Sequence, residues 1–182
     1  YRTTVIALRL MLLTFVRTVE LRGAEWSEFD LDRAEWRIPA ERMKMREPHT
    51  VPLSWQAVEL LRELHTYTGG RTFLFPNYRN PKACMTATTL NRALERMGFN
   101  GKDSIGFSAH GFRATASTIL NETGFRPDVI ERQLAHAERD KTRASYNQAE
   151  YMPERRAMMQ QWADMVDSIA DGANVTLIKR AA

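Results

Sequence analysis

The chain has 182 residues, 26 of them Lys or Arg and 22 Asp or Glu, giving a formal net charge of +4 and a pI of about 9.5. Its ordinary apolar content, 43%, excludes collagen-like, coiled-coil and intrinsically disordered classes and suits one well-buried domain. Cys84 is the sole cysteine, which excludes an internal disulfide framework and a cysteine-rich zinc site and suits a reducing compartment. No apolar run reaches membrane-spanning length and no signal peptide is visible, so the expected location is cytoplasmic, with no membrane partner. The mild basicity suits a nucleic-acid partner without requiring one, because the cations are scattered and a footprint has to be assembled by the fold. The chain opens at Tyr1 inside a helical pattern. It reads as an excised C-terminal domain lacking an N-terminal partner.

Thr3 to Val16 is strongly apolar, with Val5, Leu8, Leu12 and Phe15 at helical spacing, and predicts a core helix. Arg17 and Glu20 follow. They read either as a helix-surface pair or as an anion-binding arginine oriented by a carboxylate. Next, Phe29 and Leu31, Trp36 and Ile38, Val51 and Leu53 alternate with polar residues and predict a small antiparallel sheet. Asp32-Arg33-Ala34 turns the first pair. Ala40 to Pro48 turns the second and carries Arg42, Lys44 and Arg46, read either as a charged edge or as cations that reach a phosphate or a leaving oxygen. Ser54 caps a helix to about Thr66, in which His65 reads as structural. Residues 71–86 form a loop, and Thr86 or Thr88 starts a helix to Met97. Ser108 is the expected N-cap of a helix running from Ala109 to Glu122, with Gly124 as its stop. Pro127 opens another, with Val129, Ile130 and Leu134 on its apolar side. His136 follows its end, and Lys141 to Ser145 forms a short helix before Tyr146. Met158, Trp162, Met165, Val166 and Ile169 stripe a helix from Pro153 to Asp171.

His110 and Arg113, three residues apart, bring an imidazole and a guanidinium together near a helix N-terminus, which favours anions. With His136 and Tyr146 downstream, this set suits gripping a phosphate and attacking it with a phenol. The transition state of such an attack carries extra negative charge on the non-bridging oxygens, and fixed guanidiniums stabilise it. Arg17 and Arg113 are the candidates. A phenol of pKa near ~10 needs activation, and His110 is the candidate either to accept its proton or to hydrogen-bond the phosphate. Lys44 is the candidate acid for the leaving sugar oxygen, a task worth about 100- to 10,000-fold. With arginines supplying the charge, neither metal nor cofactor is called for.

The order of these residues resembles the tyrosine recombinase family, in particular phage and prophage integrases. LTFVRTVELRGAEWSEFDL resembles the first-arginine block. ERMKMREPHTVPLS resembles the hairpin-lysine block, with the lysine seven residues before V-P-L, which selects Lys44 over Arg42 and Arg46. SAHGFRATAST resembles the H-x-x-R block, and LAH followed ten residues later by a tyrosine resembles the end. The resemblance covers about Thr3 to Trp162. It implies an α+β fold, mainly α-helical with a small antiparallel sheet, and site-specific DNA recombination for prophage integration and excision. Tyr146 would attack to give a 3′-phosphotyrosyl link, Arg17 and Arg113 would hold the phosphate, and Lys44 would protonate the 5′-hydroxyl. His110 would aid proton transfer, His136 would support the phosphate or nucleophile, and Glu20 would orient Arg17. Arg42 and Arg46 become DNA-contact candidates.

The implied partners are double-stranded DNA attachment sites, further copies forming a tetramer on DNA from a free monomer, and accessory DNA-bending proteins, in the cytoplasm of a bacterial host. Two departures stand out. Phe15 and Ala135 occupy positions where glycine is common, before Arg17 (with one residue between) and before His136. Tyr151 is a rival phenol. The alternatives are a catalytically inactive DNA-binding module and a type IB topoisomerase-like enzyme. The last helix and the tail, residues 172–182, dock either on their own domain or on a neighbouring subunit.

Overall fold

The structure is a computed structural model that describes residues 1–136 and 150–172. Seven α-helices are defined among them: α1 (Arg2–Thr14), α2 (Thr18–Arg22), α3 (Trp55–Thr68), α4 (Thr89–Arg96), α5 (Gly111–Glu122), α6 (Pro127–Gln133) and α7 (Met152–Ala170). A three-stranded antiparallel sheet, in the order β1 (Phe29–Asp30), β2 (Glu35–Ile38), β3 (His49–Pro52), lies between α2 and α3. The expected α+β class is therefore observed. Trp36 pairs with both Phe29 and Val51. The alternation puts Trp36, Ile38 and Val51 inside, as period-two patterning requires.

Helix α1 is the axis of the molecule. Its buried residues are Ile6, Ala7, Leu10, Met11, Leu13 and Thr14, a band too wide for one face because the helix is covered from several sides. Val5, expected on the core stripe, is 46% exposed. The stripe is rotated by one residue, onto Ile6 and Leu10. One apolar cluster joins α1 to the sheet, α3 and α4. A second joins Phe15 to Ala116 and Leu120 of α5, to Val129, Ile130 and Leu134 around α6, and to Met158, Met159 and Trp162 of α7. The C-terminal end of α1 lies at the seam between the two.

Several local expectations hold. The Ser54 hydroxyl caps α3 by accepting from the Ala57 N–H at 3.3 Å. Pro127 occupies the first turn of α6. His65 is a packing residue, its ring set edge-on to Trp26 with centroids 4.9 Å apart.

One expectation needs correction. Ser108 is not the cap of α5, which starts at Gly111 with His110 as its N-cap residue. The Ala109 N–H is held by the Asn91 side chain at 2.9 Å. Gly111 lies so close to the Phe107 ring that a Cβ would meet it at 2.8 Å. These two contacts pull the preceding residues into a turn and delay the helix.

Helix α7 packs on its own domain. Trp162 is 3% exposed, donates to the Leu12 carbonyl at 2.8 Å and meets the Phe15 ring edge-on. Of the docking residues expected there, only Ile169 is exposed. The tail beyond residue 172 and the short helix expected at Lys141 to Ser145 lie outside the described residues.

Candidate active site

Arg17 follows the end of α1, two residues after a left-handed residue. Phe15 has φ 39° and ends the helix by donating to the Met11 carbonyl at 2.9 Å. Left-handed backbone costs an L-residue roughly 1–2 kcal/mol. Burial of the Phe15 ring against Trp162 offsets that cost. Ala135, just before His136, has φ 48°. Both positions where the resemblance expects glycine therefore adopt the backbone conformation that glycine enters freely.

Arg17 is the N-cap residue of α2, and Glu20 closes a capping box on it. The Glu20 carboxylate accepts from the Arg17 backbone N–H and from its guanidinium, each at 2.7 Å. Glu20 is 2% exposed and Arg17 20%, so this is an inward-facing oriented pair rather than a surface one. Arg17 Nη2 also donates to the Ala135 carbonyl at 3.1 Å.

Arg113, in the first turn of α5, is 5% exposed. It donates to the Phe15 carbonyl at 2.8 Å and to the Leu134 carbonyl at 2.7 Å. These are the C-terminal ends of α1 and α6, whose free carbonyls attract a cation. Its Nη2 also meets His136 Nε2 at 3.2 Å, and His136 Nδ1 meets the Glu131 carboxylate at 2.7 Å. Since arginine only donates, His136 accepts at Nε2 and donates from Nδ1. Burial, and next the neighbouring Arg17 charge, push the Arg113 pKa down to about 10, with Glu20 and Glu131 opposing. It stays cationic at neutral pH. The fold thus sets two mutually repelling guanidiniums side by side, an arrangement that a bound anion relieves.

The remaining expected residues divide. His110 is exposed beside Arg113 at the start of α5. Lys44 and Arg46 are exposed on the turn between β2 and β3, and Arg46 takes φ 58°. Neither forms an ion pair among the described residues. Arg42 differs: its guanidinium is bound by the Glu28 carboxylate and the Glu20 carbonyl. It braces the main chain beside Arg17 instead of facing outward. Its expected DNA contact therefore lacks a free guanidinium. Tyr151 is half-buried at the N-cap of α7, packs against the second cluster and lies under the Arg126 guanidinium, 5.2 Å from its ring centroid. Tyr146 lies outside the described residues.

Behind the site is a polar layer that sequence reasoning missed. Arg155 is fully buried and donates to the Gln133 side chain at 3.0 and 2.8 Å and to the Thr50 carbonyl at 2.6 Å. His49 Nε2 lies 3.2 Å from the Gln133 carbonyl, to which it donates. A signal for Arg155 was present: it lies three, four and seven residues before Met158, Met159 and Trp162, on the buried stripe of α7. The RR pair disguised it as surface.

Burial, followed by the Arg155 charge, pushes His49 down to about 3. An unfolded histidine titrates near 6.5, so below that pH the unfolded chain takes up the proton and the folded chain does not. Stability present above about pH 6.5 is therefore lost as pH falls, down to about pH 3. At pH 5 the expected loss from this residue is about 2 kcal/mol. Urea melts of the native protein and a His49→Gln variant at pH 7 and pH 5 should show the native stability falling more. Equal slopes would exclude a neutral buried His49.

The same arrangement of helices around a small sheet occurs in solved structures. The integrase from mycobacterium phage Brujita matches with a TM-score of 0.66 at 18% identity, over 89% of this chain and 52% of that one. The Tn1549 transposon integrase, solved in complex with transposon right end DNA, matches with a TM-score of 0.62 at 18% identity, over 87% of this chain and 58% of that one. The fold is thus one that these integrases share. The sequence model of the phage integrase family matches residues 2–152, and the chain belongs to that family. Prophage integrase IntA of Escherichia coli K12 is 46% identical over 166 residues, 91% of this chain and 39% of the relative. The chain spans about two-fifths of the length of the curated relatives it matches.

Proposed function

We propose that this chain is the catalytic domain of a site-specific recombinase that integrates and excises a prophage by cutting and rejoining DNA through a 3′-phosphotyrosyl intermediate. The observation that carries this reading is the paired guanidiniums of Arg17 and Arg113. They donate to the Phe15, Leu134 and Ala135 carbonyls at helix ends and are oriented by Glu20 and His136, while His110 and Lys44 are exposed.

In this reading a backbone phosphate sits against both guanidiniums. Tyr146 attacks phosphorus, the bond to the 5′-oxygen breaks, and Lys44 gives that oxygen its proton. His110 takes the phenol proton. The His136 ring, held through Glu131, keeps Arg113 in place. The phosphotyrosyl bond conserves the energy of the broken diester, so a 5′-hydroxyl from another strand reseals it without ATP. Arg46 contacts DNA beside Lys44. Double-stranded attachment sites and a tetramer formed on them are the partners, with accessory DNA-bending proteins, in a bacterial host.

The test is covalent trapping. The protein is incubated, with EDTA present, with nicked attachment-site DNA whose cleaved fragment diffuses away, and then run on a denaturing gel. The native protein should form a protein–DNA adduct, and Tyr146→Phe should form none while still binding DNA. An adduct that survives Tyr146→Phe but not Tyr151→Phe would reassign the nucleophile. DNA binding without any adduct would favour a catalytically inactive DNA-binding module.

A further inference from the structure

We propose that Arg155, acting through Gln133, Thr50 and Glu150, is a positioning residue that sets three parts of the cleavage site in register with one another. The inference rests on the cleavage chemistry proposed above and concerns how its groups are held.

The guanidinium reaches three chain segments. Nε and Nη2 hold the Gln133 side chain at 3.0 and 2.8 Å. Gln133 is the last residue of α6, and the next two carbonyls, Leu134 and Ala135, are those that seat Arg113 and Arg17. Nη2 also holds the Thr50 carbonyl at 2.6 Å, in the strand that leaves the Lys44 turn six residues earlier. Nη1 reaches the Glu150 carbonyl at 3.4 Å and its carboxylate at 3.6 Å. Glu150 is four residues beyond Tyr146 in the sequence and is bound a second time by Arg132. The His49 contact to the Gln133 carbonyl at 3.2 Å ties the β3 segment to α6 independently.

A fully buried guanidinium is a costly choice for packing alone. Desolvation of an ion is costly, and burial has pushed the Arg155 pKa down to about 10. The nearest acid, Glu150, is half-exposed. Its neighbours along the stripe are Met158, Met159 and Trp162, so an apolar side chain would satisfy the core. What an apolar side chain cannot do is bind three chain segments at once with directional donors. Guanidinium has five N–H donors in a fixed plane, and its three nitrogens are shared among the three segments.

The test uses Arg155→Lys, which keeps the charge and the stem but loses the fork, and Glu150→Gln, which removes the carboxylate charge beside Nη1 and leaves the backbone carbonyl contact. Melting temperature, DNA affinity and the single-turnover cleavage rate at saturating DNA are measured for each. Misplacement by about 1 Å costs on the order of 100-fold in rate. Arg155→Lys should cleave about 10- to 100-fold more slowly, with affinity within about twofold.

A substrate with sulfur at the 5′-bridging position needs little acid help from Lys44. It should recover part of the Arg155→Lys defect, which includes the Lys44 strand, and none of the Glu150→Gln defect. Native cleavage rates in both variants would overturn the proposal. So would affinity and rate falling together in step with melting temperature, the signature of a merely structural residue. Failure of the native protein to cleave would instead count against the cleavage chemistry itself.

Discussion

Arg113→Ala should lower the single-turnover cleavage rate by about 100- to 1,000-fold, the range seen when one donor to a developing oxyanion is removed. It should also destabilise the fold by about 2–3 kcal/mol. The two effects share one cause. The guanidinium that faces the proposed phosphate is also the donor to the Phe15 and Leu134 carbonyls. Each such bond, from a charged donor, is worth about 1.5–3 kcal/mol, and relief of the Arg113–Arg17 repulsion gives part of that back. Arg113→Lys separates charge from geometry. An ammonium cannot span two helix ends and His136 together, so lysine should recover little of the rate. Chemical melts and trapping rates on the three proteins would decide. If lysine restored cleavage fully, Arg113 would act as a point charge and the bridging geometry would be incidental.

Glu20→Ala should be the most damaging change to stability, about 3 kcal/mol, because it leaves Arg17 without its buried counter-charge and opens the capping box of α2. The cleavage rate should fall about 10- to 100-fold. Arg17 would keep only the Ala135 carbonyl among its described side-chain contacts and swing out of the geometry in which it faces Arg113. Glu20→Gln can still accept from the Arg17 backbone N–H, so it should recover part of the stability. Its amide cannot hold the guanidinium through the same pair of acceptors, so it should recover less of the rate. Thermal melts and single-turnover trapping would show this split. Stability and rate restored together by Gln would mean that the carboxylate charge is dispensable.

The sheet, the helices and most of the site were legible in the sequence because their signals are local. Alternation marked Trp36, Ile38 and Val51. Ser54 and Pro127 marked helix starts. The spacing of His110 and Arg113 placed that pair near a helix start, and the spacing of Arg17 and Glu20 marked those two side chains as partners. The errors also have local causes. Val5 reads as core because its spacing from Leu8 and Leu12 is helical, but a helix covered on several sides buries an adjacent face as well. Ser108 reads as a cap because nothing local announces that Asn91, seventeen residues upstream, holds the next backbone N–H.

Residue types at fixed spacings, read with the resemblance to the integrase blocks, were enough to propose the class of chemistry and the order of its parts. Only the tertiary structure decided which cations face inward. It turned Arg42 into a brace on Glu28, put Arg113 on the ends of two helices, and buried Arg155 among Gln133, Thr50 and Glu150. Apart from Arg155–Glu150, those choices depend on contacts between residues 14 or more positions apart. A hydrogen bond across that distance leaves no period in the chain, because the donor and acceptor meet only after the two hydrophobic clusters have packed.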